Sequence, residues 1–345
     1  RAAKLWWKAE SNEEMLLVKA MVLQEYGGPE VLQVQEIEAP EVGPEEILIE
    51  IAATAVNRAD LLERQGLYPP PPPAPRYQIP GLECAGTVVA KGGRVIGFNI
   101  GDRVMALLPG GGYAEYVAVA EDMAWSVPEA LDVTQAAAIP EVYLTAFDAL
   151  WDKAELMPED RVLIHAAAGG VGSAAVQLAL AAGLQVAATV GSEEKRQFVN
   201  KLGAHQVINY RDQDFVVAIE HWTRGKGVQA VIDFVGQSYL QRNLQSLAAG
   251  GTLVIVGTLS GPEAPINLGQ MLNRRLTIRG TALRSRPRYD KIRLVQTFAR
   301  RTAADFNSGR LKPIIDRIIP WEEAGEAHRI LATNQTTGKL VLKVR

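Results

Sequence analysis

Three stretches of the 345-residue chain carry residues whose types and spacing do chemistry. The first is His165-Ala166-Ala167-Ala168-Gly169-Gly170-Val171-Gly172, between an apolar run, Arg161–Ile164, and a small-residue run, Ser173–Ala179. Glycines let a backbone turn tightly and approach a pyrophosphate, and a helix N-terminus adds free N–H groups and a positive dipole end. Ala168, Gly169, Gly170, Val171 and Gly172 are therefore candidate phosphate contacts. The spacing departs from G-x-G-x-x-G, so a purely structural strand-to-helix turn remains the alternative.

The second stretch is Thr189-Val190-Gly191-Ser192 with Lys195. A sheet that prefers NAD carries Asp or Glu at the tip of its second strand, about 20 residues after the glycine turn, to hold the ribose hydroxyls. No acid stands at this tip. Ser192 offers a helix cap and a hydroxyl, and Lys195 follows one turn later on the same side. Gly191, Ser192 and Lys195 suit a 2′-phosphate, which predicts NADPH over NADH. Glu193 and Glu194 oppose that reading, although acids in a first helical turn also serve the dipole.

The third is Tyr68, followed by Pro69 to Pro73, Ala74 and Pro75. Proline fixes φ and keeps its predecessor out of the helical region, so this segment is extended. It reads as a stiff surface loop or as a polyproline ligand for a partner. The other reactive types are sparse. Cys84, the single cysteine, excludes an intrachain disulfide and any multi-cysteine metal site. It sits in an apolar setting and reads as a small buried residue. His165 is a structural residue at a strand end or a general base. His205, His221 and His328 have no metal-ligand spacing.

These residues need elements to hold them. From Lys19 to about Pro140 short strand-like runs alternate with turn formers: Val31–Gln35, Ile47–Ile51, Thr87–Val89 and Tyr116–Val119. Near Glu141 the pattern changes to strands alternating with helices. The strands are Arg161–Ile164, Gln185–Val190, Val207–Ile208, Ala230–Phe234, Thr252–Val256 and Leu276–Gly280, which implies a parallel sheet covered on both faces. A helix from Tyr289 to Phe306 and a last strand, Lys339–Leu342, return to the β-rich part.

Composition narrows the class. Apolar residues make up 48% and charged residues 22%, and the net charge is -3. That balance suits a globular protein and argues against binding nucleic acid through a general positive field. A local basic run, Arg274, Arg275, Arg279, Arg284, Arg286 and Arg288, reads as a solvated face or a phosphate contact. No apolar run reaches the roughly 18 residues needed to span a bilayer, and cysteine usage suits a reducing, cytoplasmic setting. Residues 1–17 read as an N-terminal extension.

The chain resembles the zinc-free quinone oxidoreductase branch of the medium-chain dehydrogenase/reductase superfamily, with features of its stress-inducible, zeta-crystallin-like subgroup. The residues that carry the resemblance are Asn57-Arg58-Ala59-Asp60, Gln65-Gly66-Leu67-Tyr68-Pro69-Pro70, Gly81-Leu82-Glu83-Cys84-Ala85-Gly86, Gly101-Asp102-Arg103-Val104, Leu108–Gly112, Gln135–Glu141 and Leu283-Arg284-Ser285-Arg286. It implies an α/β protein: a GroES-like β-rich catalytic domain, 18–140 and 287–345, and a Rossmann doubly wound parallel sheet, 141–286. Zinc-dependent relatives hold their metal with Cys, His and Cys, and the matching positions here are Asn57, Leu82 and Glu141. Leu82 cannot bind a metal and Asn57 is a poor zinc ligand, so no metal is expected.

The function implied is NADPH-dependent reduction of a small-molecule quinone by hydride transfer without a metal. Tyr68 is the first candidate to stabilise the developing oxyanion, and Asn57 the second. Further cofactor contacts implied by the resemblance are Arg58 and Asp60, Thr145, Tyr210 beside the 2′-phosphate, Phe234, Val256, Gly257, Thr258, Leu283 and Lys339. Members assemble as dimers or tetramers through the edges of their Rossmann sheets, with Leu276–Gly280 as the edge strand. Two alternatives stay open: an enoyl-thioester or enone reductase on the same scaffold, and a low-turnover NADPH- or RNA-binding, crystallin-like protein.

Overall fold

In Leu17–Met21 (β1) Val18, Ala20 and Met21 are buried while Leu17 and Lys19 face out, and the strand pairs antiparallel with Val34–Glu38 (β2). The computed structural model describes residues 16–70 and 72–345. The expected extension, 1–17, lies outside the described residues up to Met15, and Leu17 already belongs to β1. The strand expected at Val31–Gln35 starts instead at Val34. Pro29 at the first position of a short 3-10 turn, Pro29–Val31, sets helical φ there.

The chain gathers into two units. The first holds the described residues up to Glu141 with Pro287–Ala303 and Ile315–Arg345. Its strands are Glu46–Val56 (β3), Glu83–Lys91 (β4), Arg103–Leu107 (β5), Tyr116–Ala120 (β6) and Ala124–Ser126 (β7), with helices Arg58–Arg64 (α1) and Val133–Ala136 (α2). The eleven residues of β3 are long enough to pair with β4 along one edge and with β6 on the other. Two register shifts against β4 interrupt that ladder; shifts of this kind bend a strand.

The second unit holds Val142–Arg286 and Ala304–Ile314. The helix that leads into it, Pro140–Phe147 (α3), begins with Glu141 in its first turn and widens into a π-type turn, Asp148–Lys153. Strand and helix then alternate: Arg161–Ile164 (β8), Gly170–Ala181 (α4), Gln185–Val190 (β9), Glu193–Lys201 (α5), Gln206–Asn209 (β10), Phe215–Thr223 (α6), Val228–Asp233 (β11), Leu240–Ser246 (α7), Leu247–Ile255 (β12), Leu268–Arg274 (α8) and Thr277–Gly280 (β13). All six strands are parallel, in the order β10-β9-β8-β11-β12-β13. Chain direction across the sheet reverses between β8 and β11, the point where nucleotides bind in such folds.

The tail forms Arg288–Asn307 (α9), Ile315–Pro320 (β14), Ala324–Ala332 (α10) and Lys339–Lys343 (β15). β15 pairs with both β14 and β3, which completes the sheet of the first unit. Residues 304–314 belong to the second unit, although the sequence assigns all of 287–345 to the first. Tyr143 and Gln177 explain the difference. Tyr143 Oη donates to the Lys312 carbonyl at 2.8 Å, the Gln177 amide accepts the Lys312 N–H at 2.9 Å and donates to its carbonyl at 3.0 Å, and Phe306 packs edge-on against Tyr143.

Candidate active site

In the second unit the predicted turn residues lie between β8 and α4. Ala166 takes a positive φ of 48°, Gly169 caps α4 in an extended conformation, and its N–H returns to the Ala166 carbonyl at 2.9 Å. A Cβ at Gly172 would stand 2.2 Å from the Ala166 carbonyl oxygen. No side chain fits there, so α4 starts flush against the turn with its N–H groups open at Gly170 and Val171. Ala168 is buried beneath.

The tip of β9 lies beside it. Ser192 caps α5 and its hydroxyl accepts from the Lys195 N–H at 3.3 Å. A Cβ at Gly191 would come within 2.5 Å of Tyr210 Oη, so glycine admits the phenol over the strand tip. Gly191, Ser192, Lys195 and Tyr210 are thus brought together. Arg196 is turned away, because Glu193 holds its guanidinium at 2.6 and 2.8 Å. That pair also balances the one acid in this turn that the guanidinium faces. Phe234, Val256, Gly257 and Thr258 sit on the loops after β11 and β12. The Asp233 carbonyl takes the N–H of Val256 at 2.7 Å, which joins those loops. Thr145 and Leu283 are buried.

In the first unit Asn57 caps α1 and stands in a polar cluster with almost no exposure. The Lys339 ammonium donates to Asn57 Oδ1 at 2.6 Å, to the Val56 carbonyl at 2.9 Å and pairs with Glu83 Oε1 at 2.8 Å. Asn57 Nδ2 donates to Glu83 Oε1 at 2.8 Å and towards the Ala55 carbonyl at 3.3 Å, and Glu83 Oε2 accepts the Glu141 N–H at 2.9 Å. All three ammonium protons of Lys339 and both amide protons of Asn57 are therefore engaged inside the protein. Asp60 is fully buried, accepts the Asn57 N–H at 2.7 Å and has its pKa raised to about 7, chiefly by burial. Tyr113 Oη bridges Asp60 Oδ2 and His328 Nε2 at 3.2 and 3.0 Å. Arg58 binds the Leu331 carbonyl and Asn334 Oδ1. Tyr68 is half-buried in the turn after α1, at the head of the proline loop.

Comparisons with known proteins agree over most of the chain. The family model described as "Alcohol dehydrogenase GroES-like domain" matches residues 43–129, and the one described as "Zinc-binding dehydrogenase" matches residues 170–300. The quinone oxidoreductase of Sus scrofa is 37% identical over 329 residues, covering 94% of this chain and 98% of its own. The chain belongs to the quinone oxidoreductase family. Among solved structures, Escherichia coli quinone oxidoreductase complexed with NADPH superposes with a TM-score of 0.83 at 32% identity, over 95% of this chain and 99% of that one. An NAD-dependent alcohol dehydrogenase superposes with a TM-score of 0.84 at 34% identity, over 95% and 100%. Membership of the family thus leaves the choice of nucleotide to the residues of the β9 tip.

Zinc, which one of these descriptions names, finds no fitting donor set at these positions among the described residues. A catalytic zinc takes three nitrogen, sulfur or carboxylate ligands and keeps one position open. Leu82 has no donor atom, Asn57 is committed to Lys339 and Glu83, and an ammonium 2.6 Å from Asn57 Oδ1 already holds a positive charge there. The Cys84 thiol is buried and its pKa pushed well up by desolvation. Among the described residues no group of three or more His, Cys, Asp and Glu is arranged to hold a metal, and no helix is long and apolar enough to cross a membrane.

Four of the six arginines of the basic run turn inward, while Arg275 and Arg288 are exposed. Arg274 caps the carbonyls of Leu244, Gln245 and Leu247. Arg279 binds the Lys153 carbonyl and Glu155, and Arg286 forks onto the buried Asp148 at 2.8 Å to both oxygens. Arg284 is buried. Sequence reasoning gave no role to Glu83 and Asp233. Each carries a signal in hindsight: an acid inside or at the end of an otherwise apolar strand. Asp233 is buried, accepts the N–H groups of Val235 and Gly236 at 2.8 and 3.1 Å, and has its pKa raised to about 6, mainly by burial.

Proposed function

We propose that the protein reduces quinones with NADPH. The observation that carries this reading is the β9 tip: a glycine, a capping serine, a lysine and a tyrosine gathered at one place, where the strand itself ends without an acid although Glu194 of α5 bonds the Ser192 side chain. When bound, NADPH supplies the hydride. The turn Ala168–Gly172 and the α4 N-terminus hold the pyrophosphate by N–H groups and dipole. The Ser192 hydroxyl, the Lys195 ammonium and the Tyr210 phenol hold the 2′-phosphate dianion. Phe234, Val256, Gly257 and Thr258 are assigned as walls, with Thr145 and Leu283 behind them.

A quinone accepts a hydride without a Lewis acid if a donor stabilises the negative charge that develops on its carbonyl oxygen. We assign that donor to Tyr68 Oη. The Asn57 amide, already donating on both protons, acts with Lys339 and Glu83 to fix the end of β3 and the start of α1. Arg58 and Asp60 fix the same helix. A second copy of the chain pairs with the edge strand β13, which has one neighbour in the described sheet.

The test is an acceptor panel with NADPH and NADH compared directly. The expected result is turnover of a simple naphthoquinone with NADPH well above that with NADH. A preference for NADH would remove the assignment of Ser192, Lys195 and Tyr210. Faster turnover of an α,β-unsaturated acyl thioester than of any quinone would replace the substrate class. Tyr68→Phe is expected to lower the rate about tenfold or more, on the scale of losing one positioned donor, with NADPH binding little changed. An unchanged rate removes Tyr68 from the mechanism.

A further inference from the structure

One buried polar chain lies directly beneath the nucleotide cradle. Thr189 Oγ1 is 2.8 Å from His165 Nδ1, and His165 Nε2 is 2.8 Å from Asn243 Oδ1. All three residues are buried, His165 and Asn243 completely. The partners fix the tautomer: the Asn243 carbonyl oxygen can only accept, so Nε2 carries the proton, and Nδ1 accepts from the threonine hydroxyl. Burial keeps the ring neutral, with its pKa lowered to about 4, and Phe215 and Tyr239 press edge-on against it, each with a ring-centroid distance of 4.9 Å. Asn243 Nδ2 lies near enough to the Asp233 carboxylate to lower its pKa, yet outside hydrogen-bond geometry.

The position of each residue gives the chain its meaning. Thr189 is the residue before Val190-Gly191-Ser192. His165 immediately precedes the turn Ala166–Gly172. Asp233 leads into the loop of Phe234 and, through its carbonyl, holds the N–H of Val256 at 2.7 Å. The Ala167 N–H reaches across to the Thr189 carbonyl at 3.0 Å, and the His165 N–H to that of Ile232 at 3.1 Å. Two strand ends, those of β8 and β9, are thus tied side chain to side chain, Asn243 of α7 holds the other edge of the His165 ring, and the end of β11 joins β8 through the backbone. An apolar core would bury these ends equally well without fixing their spacing.

We propose that Thr189, His165 and Asn243 are positioning residues that set the spacing between the pyrophosphate turn and the 2′-phosphate tip, so that NADPH affinity depends on side chains the nucleotide never touches. This rests on the function proposed above. The experiment titrates the full-length apo-protein with NADPH and with NADH, following nucleotide fluorescence well below the melting temperature, for wild type, Thr189→Val, Thr189→Ser and His165→Phe. Thr189→Val keeps the shape and removes the hydroxyl. The expected result is a roughly threefold to tenfold weaker NADPH Kd, on the scale of one neutral hydrogen bond, a smaller change for NADH, and recovery in Thr189→Ser. His165→Phe, which keeps the aromatic packing, is expected to match or exceed the loss. A scaffold role alone moves the melting temperature and leaves Kd within twofold of wild type; that result in Thr189→Val overturns the proposal, and it decides the matter if His165→Phe fails to fold. Wild type that does not bind NADPH would overturn the function itself, whereas wild type that binds with unaltered variants overturns only the positioning.

Discussion

Lys339 heads an apolar strand, Leu340-Val341-Leu342, where hydropathy alone places no ammonium. The structure shows why it is tolerated. Glu83, also buried within an apolar strand, supplies the opposite charge, and Asn57 and the Val56 carbonyl take the remaining protons. Such a pair costs desolvation on both sides, and removing one partner leaves a buried charge uncompensated. Lys339→Met is therefore expected to destabilise the first unit by about 3–5 kcal/mol, read by denaturant unfolding. Glu83→Gln made in the Lys339→Met background is expected to recover part of that loss. A Lys339→Met variant of native stability but weakened NADPH binding would instead make Lys339 a cofactor contact. In the sequence, only the family resemblance points to Lys339. Its partner was illegible, because Glu83 and Lys339 are 256 positions apart and nothing local pairs them. Ser192 and Lys195 were legible, since a helix cap and the residue one turn on are set by local spacing.

At the scale of elements, the βα turn leaves no room for a side chain at Gly172. Gly169 and Gly172 look alike in sequence, but their surroundings differ. A Cβ at Gly172 would meet backbone atoms at 2.2 and 2.7 Å, whereas one at Gly169 meets the Ala166 carbonyl at 3.3 Å. Gly172→Ala must push α4 off the turn, and its expected cost is about 1–3 kcal/mol with loss of NADPH affinity. Gly169→Ala, at an ordinary φ of -76°, is expected to cost well under half as much. Thermal unfolding of the two variants side by side checks the order; equal losses would mean that the close contact at Gly172 is relieved without cost and does not govern the turn. The strand pattern after Glu141 was legible because each buried parallel strand is a continuous apolar run. Less legible were β14, whose Ile315-Asp316-Arg317 start mixes charges into the run, and the length of β12. That strand begins at Leu247, through Gly250 and Gly251, residues that read as a turn.

Stability of the whole molecule against pH follows from four buried groups, a carboxyl and an imidazole in each unit. Asp60 and Asp233 have pKa values raised to about 7 and about 6 by burial, and His328 and His165 have theirs lowered to about 3 and about 4 by the same cause. A carboxyl with a raised pKa holds its proton in the folded state while the unfolded chain has lost it, so its contribution is lost as pH rises from about 4 to the folded value. A buried neutral histidine acts the other way: the unfolded chain binds the extra proton, so stability is gained as pH rises towards about 6.5 and is lost again on acidification. Between about pH 4 and 6 the slopes oppose each other within each unit, and these groups together leave stability nearly flat. Asp60→Asn breaks that balance in the first unit. Relative to wild type, the variant's unfolding free energy is expected to rise by about 2–3 kcal/mol from pH 5 to pH 7, near 1.4 kcal/mol per pH unit. The comparison is one of slopes, so any fixed cost of the new amide cancels. Denaturant unfolding of the first unit at the two pH values provides the measurement, and parallel pH profiles for wild type and variant would show that Asp60 is ionised in the folded protein across this range.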